Sequence, residues 1–568
     1  MQPPLLVPWL RGYRSAWLAG DLTAGLIVTV MLIPQSLAYA MLAGLPPQVG
    51  LYASILPIVA YAVFGTSMTL AVGPVAVVSL MSASALAPLA PAGSEAYAVL
   101  AVQLALLSGL MLVAFGALRL GFVAHLLSHP VISGFISGSA ILIAVGQIKH
   151  VLGVRPAASD NVLGALVELY KVIDQMRLTT TLIGLGALLF LWLARRRLAG
   201  LLSAIGLNKQ AADLLAKLAP MLAVIVSTAL VAFFDWDRTQ GVAVVGAVPG
   251  GLPSLPSLAS LWPHWSVLEQ LLLPALLISL VGFVESVSVA QSLALKRGER
   301  IVPDRELIGL GAANLASAVS GGYPVTGGFA RSVVNFAAGA RTPLAGVIAA
   351  LLMVGVLLGL TEWFRTLPQA VLAATIIMAV TALIDVETLR EAWRYDRADA
   401  LALVSTALGV LLAGVEVGIL VGVSLSLGVL VWRSSRPHIA VVGRLPGTEH
   451  FRNVLRHEVE TDPQVMLVRV DENLFFGNAA AIESRIGALM ASHPQTRRLI
   501  VSCAAVNQID STALGMLTDL EGSLAGRGVR LELAEVKGPV MDRLARTPLA
   551  ERLKGRIHLS LHEAVLSD

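Results

Sequence analysis

From residue 20 to about residue 433 the chain alternates long apolar stretches with short breaks of glycine, proline and clustered charge. An apolar run of roughly 20 residues is what a helix needs to cross the hydrocarbon core of a bilayer. Spans are therefore expected near 20–43, 48–65, 95–116, 128–149, 180–199, 214–234, 268–293, 304–320, 343–360, 367–384, 397–413 and 415–432. Two further segments, about 74–88 and 327–338, are too short to cross. Each begins at a glycine after an extended stretch, MTLAVG in one case and SGGYPVTGG in the other. That makes fourteen segments, an even number, which returns both chain ends to one side.

After VWRSSRPH the pattern changes. VMLVRV (465–470), RLIVSC (498–503) and VRLELAEV (529–536) read as buried strands, with amphipathic helical stretches near 478–492 and 512–526 between them. Alternating strands and helices imply a small α/β domain with helices against a sheet. The expected organisation is an all-α membrane domain over residues 1–436 and a cytoplasmic α/β domain over 437–568.

Composition agrees. The 568 residues are 56% hydrophobic and 13% charged, with a mean hydropathy of +0.79, values typical of multi-span membrane proteins. The lone Cys503 excludes an internal disulfide and any cysteine metal cluster, and a free thiol fits a cytoplasmic domain. A net charge of +4 and a pI near 9.3 reflect basic loops rather than a nucleic-acid partner. The first apolar run, from Leu22, lacks a clear small-residue cleavage site and is expected to remain as a membrane helix. No metal motif, phosphate loop or nucleophile elbow occurs in the sequence, so neither enzymatic activity nor a cofactor is expected.

Basic residues give the orientation. The loop 195–217 holds Arg195, Arg196, Arg197, Lys209 and Lys217, and 294–305 holds Lys296, Arg297, Arg300 and Arg305, whereas 235–267 holds only Arg238. The positive-inside rule then places both termini in the cytoplasm, here of a bacterial inner (plasma) membrane. The loop 150–179 fits poorly, with Arg155, Lys171 and Arg177 on the expected outside; its Asp160, Glu168 and Asp174 point to a small folded cap.

An internal repeat points to a site. IPQSLA (33–38) matches VAQSLA (289–294) at an offset of 256, and at that offset Pro47 falls on Pro303 and Leu51 on Leu307; at 255, Gly73 falls on Gly328. Seven segments per half is odd, so the halves run oppositely through the bilayer. Inverted repeats with paired interrupted helices are the pattern of secondary transporters. The two short helices would meet N-terminus to N-terminus, where unpaired N–H groups and the helix dipoles favour an anion.

Arg331 falls in the first turn of the second short helix and adds a full charge to those helix ends. Placing it mid-membrane costs ~2.5–3.5 kcal/mol on insertion scales, which a bound anion offsets. The competing reading is a structural arginine that snorkels or pairs with a carboxylate. Gln35 can donate its amide to an oxyanion and Tyr39 can present its hydroxyl; the alternatives are an interhelical hydrogen bond and a packed aromatic. Gln291 and Ser292, which fall on Gln35 and Ser36 in the repeat, face the same question with weaker support. Pro34 is expected to break the first helix near the site, and His129 reads as a helix-boundary residue.

DLTAGLIVTVMLIPQSLAYAMLAGLPPQVGLYAS together with FGTSMTLAVGPVAVVSL closely resembles the signature of the SulP family of anion transporters, which includes sulfate permeases and bacterial bicarbonate and dicarboxylate carriers. TGGFARSVVNFAAGARTPLAG is similar to its tenth-segment motif, and VNQIDSTALGML resembles the STAS domain that follows the membrane part. The resemblance covers nearly the whole chain. It implies a seven-plus-seven inverted repeat split into core and gate domains, often a homodimer in membrane lipid, with the anion between the third and tenth segments.

By the resemblance Gln35 and Tyr39 line the anion pocket together with Gly73, Gly328, Phe329, Ala330 and Arg331, and Glu285 is an acid tied to ion coupling. Many members carry serine where this chain has Ala330. Asp510 and Ser511 match a pair in bacterial anti-anti-sigma STAS proteins, where the serine is phosphorylated; a plain helix cap is the favoured alternative, and a cytoplasmic partner at this domain is the weaker expectation.

The leading expectation is secondary active transport of a small anion of the sulfate, bicarbonate or dicarboxylate class by alternating access, with H+ preferred to Na+ as the coupled ion. The alternatives are a channel-like conductance, a nucleobase carrier and a membrane sensor signalling through its STAS domain.

Overall fold

Fourteen apolar segments were expected, and each is helical in the structure, a computed structural model that describes residues 7–10, 12–125, 128–157, 159, 161–253, 256 and 261–567. Packing divides the chain into two units, Met1–Ser426 and Leu427–Asp568. Among the described residues, eight helices are long and apolar enough to cross a membrane. Two expected spans, Pro303–Val319 and Arg397–Ala413, are 17 residues each.

Four expectations need correction. The stretch 48–65 is not one helix but two, Pro47–Tyr52 and Leu56–Phe64, broken at Ile55 (φ −116°, ψ −82°), the N-cap of the second; Pro57 in the first turn of that helix has no N–H to carry the hydrogen-bond ladder back into the first. The helix Leu18–Leu42 runs through Pro34 without a break. The basic stretch after Leu193 is mostly helical, with a π turn at Ala194–Leu198 followed by helices Ala199–Ala204 and Lys209–Ala216. Gly73 and Gly328 are not equivalent: Gly73 lies within a strand three residues before its helix, whereas Gly328 directly caps its own. The segment 150–179 contains the helix Val162–Lys171; Asp160 lies outside the described residues.

The two short segments are the helices Ala76–Leu86 and Phe329–Ala337. Each follows a two-residue strand, β1 (Val72–Gly73) and β2 (Thr326–Gly327), and the strands pair antiparallel with Val72 opposite Gly327 and Gly73 opposite Thr326. The Gly328 N–H extends the pairing to the Ala71 carbonyl at 3.0 Å. Backbone at membrane depth must find partners inside the protein. Here each half of the repeat supplies them to the other.

The second unit is a six-stranded sheet in the order β4-β3-β5-β6-β7-β8. Its strands are β3 (Ile439–Arg444), β4 (Phe451–Asn453), β5 (Val465–Val470), β6 (Arg498–Ser502), β7 (Arg530–Ala534) and β8 (Ile557–His558). The last four are parallel, and β3 is antiparallel to both neighbours. Val468, Val470, Ile482, Ile486 and Leu517 bury one face under the helices Ala479–Ser492 and Ser511–Ala525.

Candidate functional site

The site is built where β1 and β2 cross. Ser332 ties the second short helix to the first half: its hydroxyl accepts from the Ala71 N–H at 2.9 Å and donates to the Gly328 carbonyl at 2.7 Å. The Asn335 amide donates to the Thr69 carbonyl at 2.9 Å. From the other side, the helix Trp265–Leu295 is stitched to β2. Thr326 donates to the Gly282 carbonyl at 2.7 Å, and Ser286 accepts from the Gly327 N–H at 2.9 Å. Asn314 takes both backbone groups of Val325, each at 2.9 Å. Every donor and acceptor of the crossing that these contacts use is internal, which holds irregular backbone at a depth where water cannot serve it.

Arg331 lies in this frame, 2% exposed, at the third position of its helix. Its Nη1 donates to the Pro74 carbonyl at 2.9 Å, just before the first short helix. Its Nε and Nη2 have no hydrogen-bond partner among the described residues. Two glycines admit the guanidinium. A Cβ on Gly328 would lie 3.0 Å from Nη2, and one on Gly73 would lie 3.3 Å from it; Gly73 also has φ 152°. Leaving buried guanidinium donors unpaired is costly. They therefore point to an acceptor that is not protein.

Around Arg331 the structure gathers groups from separate helices. Tyr39, buried on the first helix, lies within electrostatic reach of both Arg331 and Glu285. Tyr323, which the sequence reading did not single out, is fully buried within reach of Tyr39 and Arg331, with its hydroxyl 3.0 Å from that of Ser79 on the first short helix. Gln35 is partly buried and makes no hydrogen bond to a described residue, so it is not spent on an interhelical contact. Phe329 is 50% exposed and Ala330 is exposed, so the N-terminal turn beside the buried Arg331 opens to the outside of the packed helices. On its other side Arg331 borders, with Asn335, a cavity of about 20 Å³, roughly the room of one water.

Glu285 is within electrostatic reach of Arg331 but makes no ion pair with it. Its Oε2 is buried without a hydrogen-bond partner among the described residues. The stem of its side chain borders a small apolar cavity formed with Val131, Ile132 and Phe135 of the helix His129–Leu152, Thr406 of Arg397–Ala413, and Ile419 of Val415–Ser434. Three helices distant in sequence from its own thus pack beside this side chain.

Two further acids brace the crossing and were missed in sequence. Glu306, fully buried, accepts from the Tyr61 hydroxyl at 2.7 Å, from the Thr66 and Ser67 N–H groups at 2.7 and 3.0 Å, and from the Thr66 hydroxyl. Asp21, also fully buried, accepts from the Arg341 and Thr342 N–H groups at 2.6 and 3.0 Å and from the Thr342 hydroxyl at 2.7 Å. Glu306 belongs to the second half and fixes the approach to β1. Asp21 belongs to the first half and fixes the exit from the second short helix.

In the second unit Asp510 is the N-cap of its helix. It accepts from the Ala513 N–H at 2.8 Å and from the Phe476 N–H at 2.8 Å, and the Ala513 bond foremost holds its carboxyl below the usual range. Ser511 begins the helix and is exposed. Burial pushes the Cys503 thiol up to about 12, which makes it unreactive.

Opposed half-repeats, paired interrupted helices and a buried guanidinium at their junction define a membrane transporter, carried on one chain with an α/β domain. A model of the sulfate permease family matches residues 18–406, and a STAS domain model matches residues 456–564. The chain is 35% identical to the chloroplastic sulfate transporter 4.1 of Arabidopsis thaliana, over 98% of this chain and 81% of that protein. It is 33% identical to a probable sulfate transporter of Mycobacterium tuberculosis, over 98% of this chain and 96% of that one. Its fold matches the murine solute carrier 26 family member A9 anion transporter in the inward-facing state with a TM-score of 0.89, covering 99% and 93% of the two chains. At 21% identity that last likeness is one of fold alone. This chain belongs to the sulfate permease family, a family of transporters and not of enzymes.

Proposed function

We propose that the protein is a secondary active transporter that moves sulfate together with H+ by alternating access of a core domain against a gate domain. The observation that carries this reading is Arg331, a buried guanidinium with two unpaired nitrogens at the meeting point of two helix N-termini. Gln35 and Tyr39 from the first helix, with Gly73, Gly328, Phe329 and Ala330 around the guanidinium, complete the anion site. The names of the curated relatives support sulfate as the anion.

H+ enters through Glu285. An ionised carboxylate buried with an oxygen that no described donor reaches is costly, so this group takes up a proton or holds a cation. When an anion neutralises Arg331, the favourable field at Glu285 weakens and the balance tips towards protonation. Anion and proton then load together. In this reading residues 1–436 form the transport domain in a bacterial inner membrane, as a homodimer with both termini in the cytoplasm, and 437–568 form the cytoplasmic STAS domain.

The test is uptake of radiolabelled sulfate into proteoliposomes holding the purified protein, with bicarbonate, chloride and dicarboxylates as competitors, under imposed H+ or Na+ gradients. Accumulation driven by an inward H+ gradient and reduced most by unlabelled sulfate is expected. Accumulation that follows Na+ alone overturns the coupling. Uptake insensitive to sulfate overturns the substrate. A current with no concentrative uptake favours a conductance, and no flux at all favours a sensor.

A further inference from the structure

A cleft separates the helices Leu178–Leu193 and Ala219–Phe233 on the membrane unit. One wall is Thr179, Leu182, Ile183, Gly186, Ala187 and Phe190; the other runs from Leu222 to Leu230. Each wall repeats at helical spacing, so the two helices face each other along a single stripe. Gly186 and Ala187 on one wall and Ala223 and Ser227 on the other are small, and such side chains leave space between the stripes. The space is about 670 Å³. From Thr179 to Phe190 the wall is roughly 16 Å long at 1.5 Å per residue, about half of a ~30 Å hydrocarbon core.

The two ends of the cleft differ. Along its length Leu182, Leu222, Val226 and Leu230 expose apolar surface. At one end Trp236 and Gln240 close it, with the Thr179 hydroxyl donating to the Gln240 carbonyl oxygen at 3.3 Å. Just beyond lies the exposed Arg177, which donates to the Gly241 carbonyl through Nη1. An apolar trough one leaflet deep, ending in an aromatic ring, polar groups and a guanidinium, has the profile of a lipid.

We propose that this cleft is a binding site for one membrane phospholipid, with an acyl chain between the two helices and the phosphate at Arg177. The hydrocarbon meets a mostly apolar trough, in which the Ser227 hydroxyl already donates to the Val224 carbonyl at 3.1 Å, and the guanidinium meets the phosphate as a charge-assisted donor. The site is separate from the anion site at Arg331 and shares no residue with it.

The test is native mass spectrometry of the full-length protein after exchange into lipid-free detergent, counting retained phospholipid per chain. A Cβ on Gly186 meets nothing within 4 Å, so Gly186→Phe fills the trough without strain in the backbone; Ser227→Leu fills it from the opposite wall. The wild type is expected to retain one phospholipid per chain. Both variants are expected to retain at least about tenfold less, since each displaced methylene costs about fourfold in affinity. Phosphatidylethanolamine should rebind to the stripped wild type, and a diacylglycerol with matched chains more weakly. Equal retention in wild type and both variants overturns the proposal. So does a wild type that retains none, a diacylglycerol that rebinds equally well, or a Gly186→Phe protein whose oligomer mass falls while its lipid count stays.

Discussion

Glu306 and Glu285 lie on successive helices of the second half, Pro303–Val319 and Trp265–Leu295, and both are buried. Glu306 accepts four hydrogen bonds, all from donors of the first half. Glu285 has a buried oxygen with no hydrogen-bond partner among the described residues, and its stem borders a cavity lined mostly by apolar side chains. A carboxylate supplied with four donors is built to hold a charge in place. One supplied with none is built to change its charge or its neighbours. The same residue type therefore serves as a fixed brace at one position and as a switch at the other, and what differs is the donors that distant backbone brings to it.

Breaking the brace should have the largest effect on the fold. Glu306→Leu strands several buried donors at once, and hydrogen bonds to a charged group are worth ~1.5–3 kcal/mol each. The loss of stability should be at least about 3 kcal/mol, read as a lowered midpoint of thermal unfolding in detergent. A midpoint equal to that of the wild type would mean that the four contacts do not hold the approach to β1.

The switch should respond in the opposite way. Glu285→Gln removes a costly charge and no hydrogen-bond partner among the described residues, so its unfolding midpoint should not fall below that of the wild type. Sulfate exchange should persist, while accumulation driven by an inward proton gradient disappears. Proton-driven accumulation that survives this substitution removes Glu285 from the coupling.

A third glutamate sharpens the comparison at the smallest scale. Burial alone would raise the Glu532 carboxyl, but Arg498 at 2.7 Å and His558 at 3.0 Å outweigh it and hold the group below its ordinary value. A depressed folded value means stability that is complete above the unfolded value, ~4.3, and is lost as pH falls below it. Hydrogen exchange in β6 and β7 should be equally protected between neutral pH and about 5, then lose protection below ~4.3. Protection unchanged down to pH 3 would show that the pair adds nothing.

Periodicity and length sufficed for the membrane segments, apart from the break at Ile55 within 48–65, and for β5, β6 and β7, because long apolar runs carry their own signal. Arg331 was legible because a charge in an apolar run is conspicuous. Asp21 and Glu306 were not, because each lies in the first turn of a helix, where an acid already has a local explanation in the helix dipole. Their partners lie about 320 and 240 residues away, and no local pattern encodes that pairing. Tyr323 and Ser79 read as ordinary packing residues until the crossing brings them together. β3, β4 and β8 escaped notice because two of them are only two or three residues long and β3 directly follows the last membrane helix.

Arg331 as the anion's ligand is tested most directly by equilibrium binding of sulfate to detergent-solubilised wild type and Arg331→Ala. The helix ends remain in the variant, but the full charge is gone from a desolvated contact. Binding should fall by at least about a hundredfold, in line with ~3 kcal/mol for a charge-assisted hydrogen bond, while the unfolding midpoint shows a folded protein. Wild-type sulfate affinity in a folded Arg331→Ala protein would contradict the account.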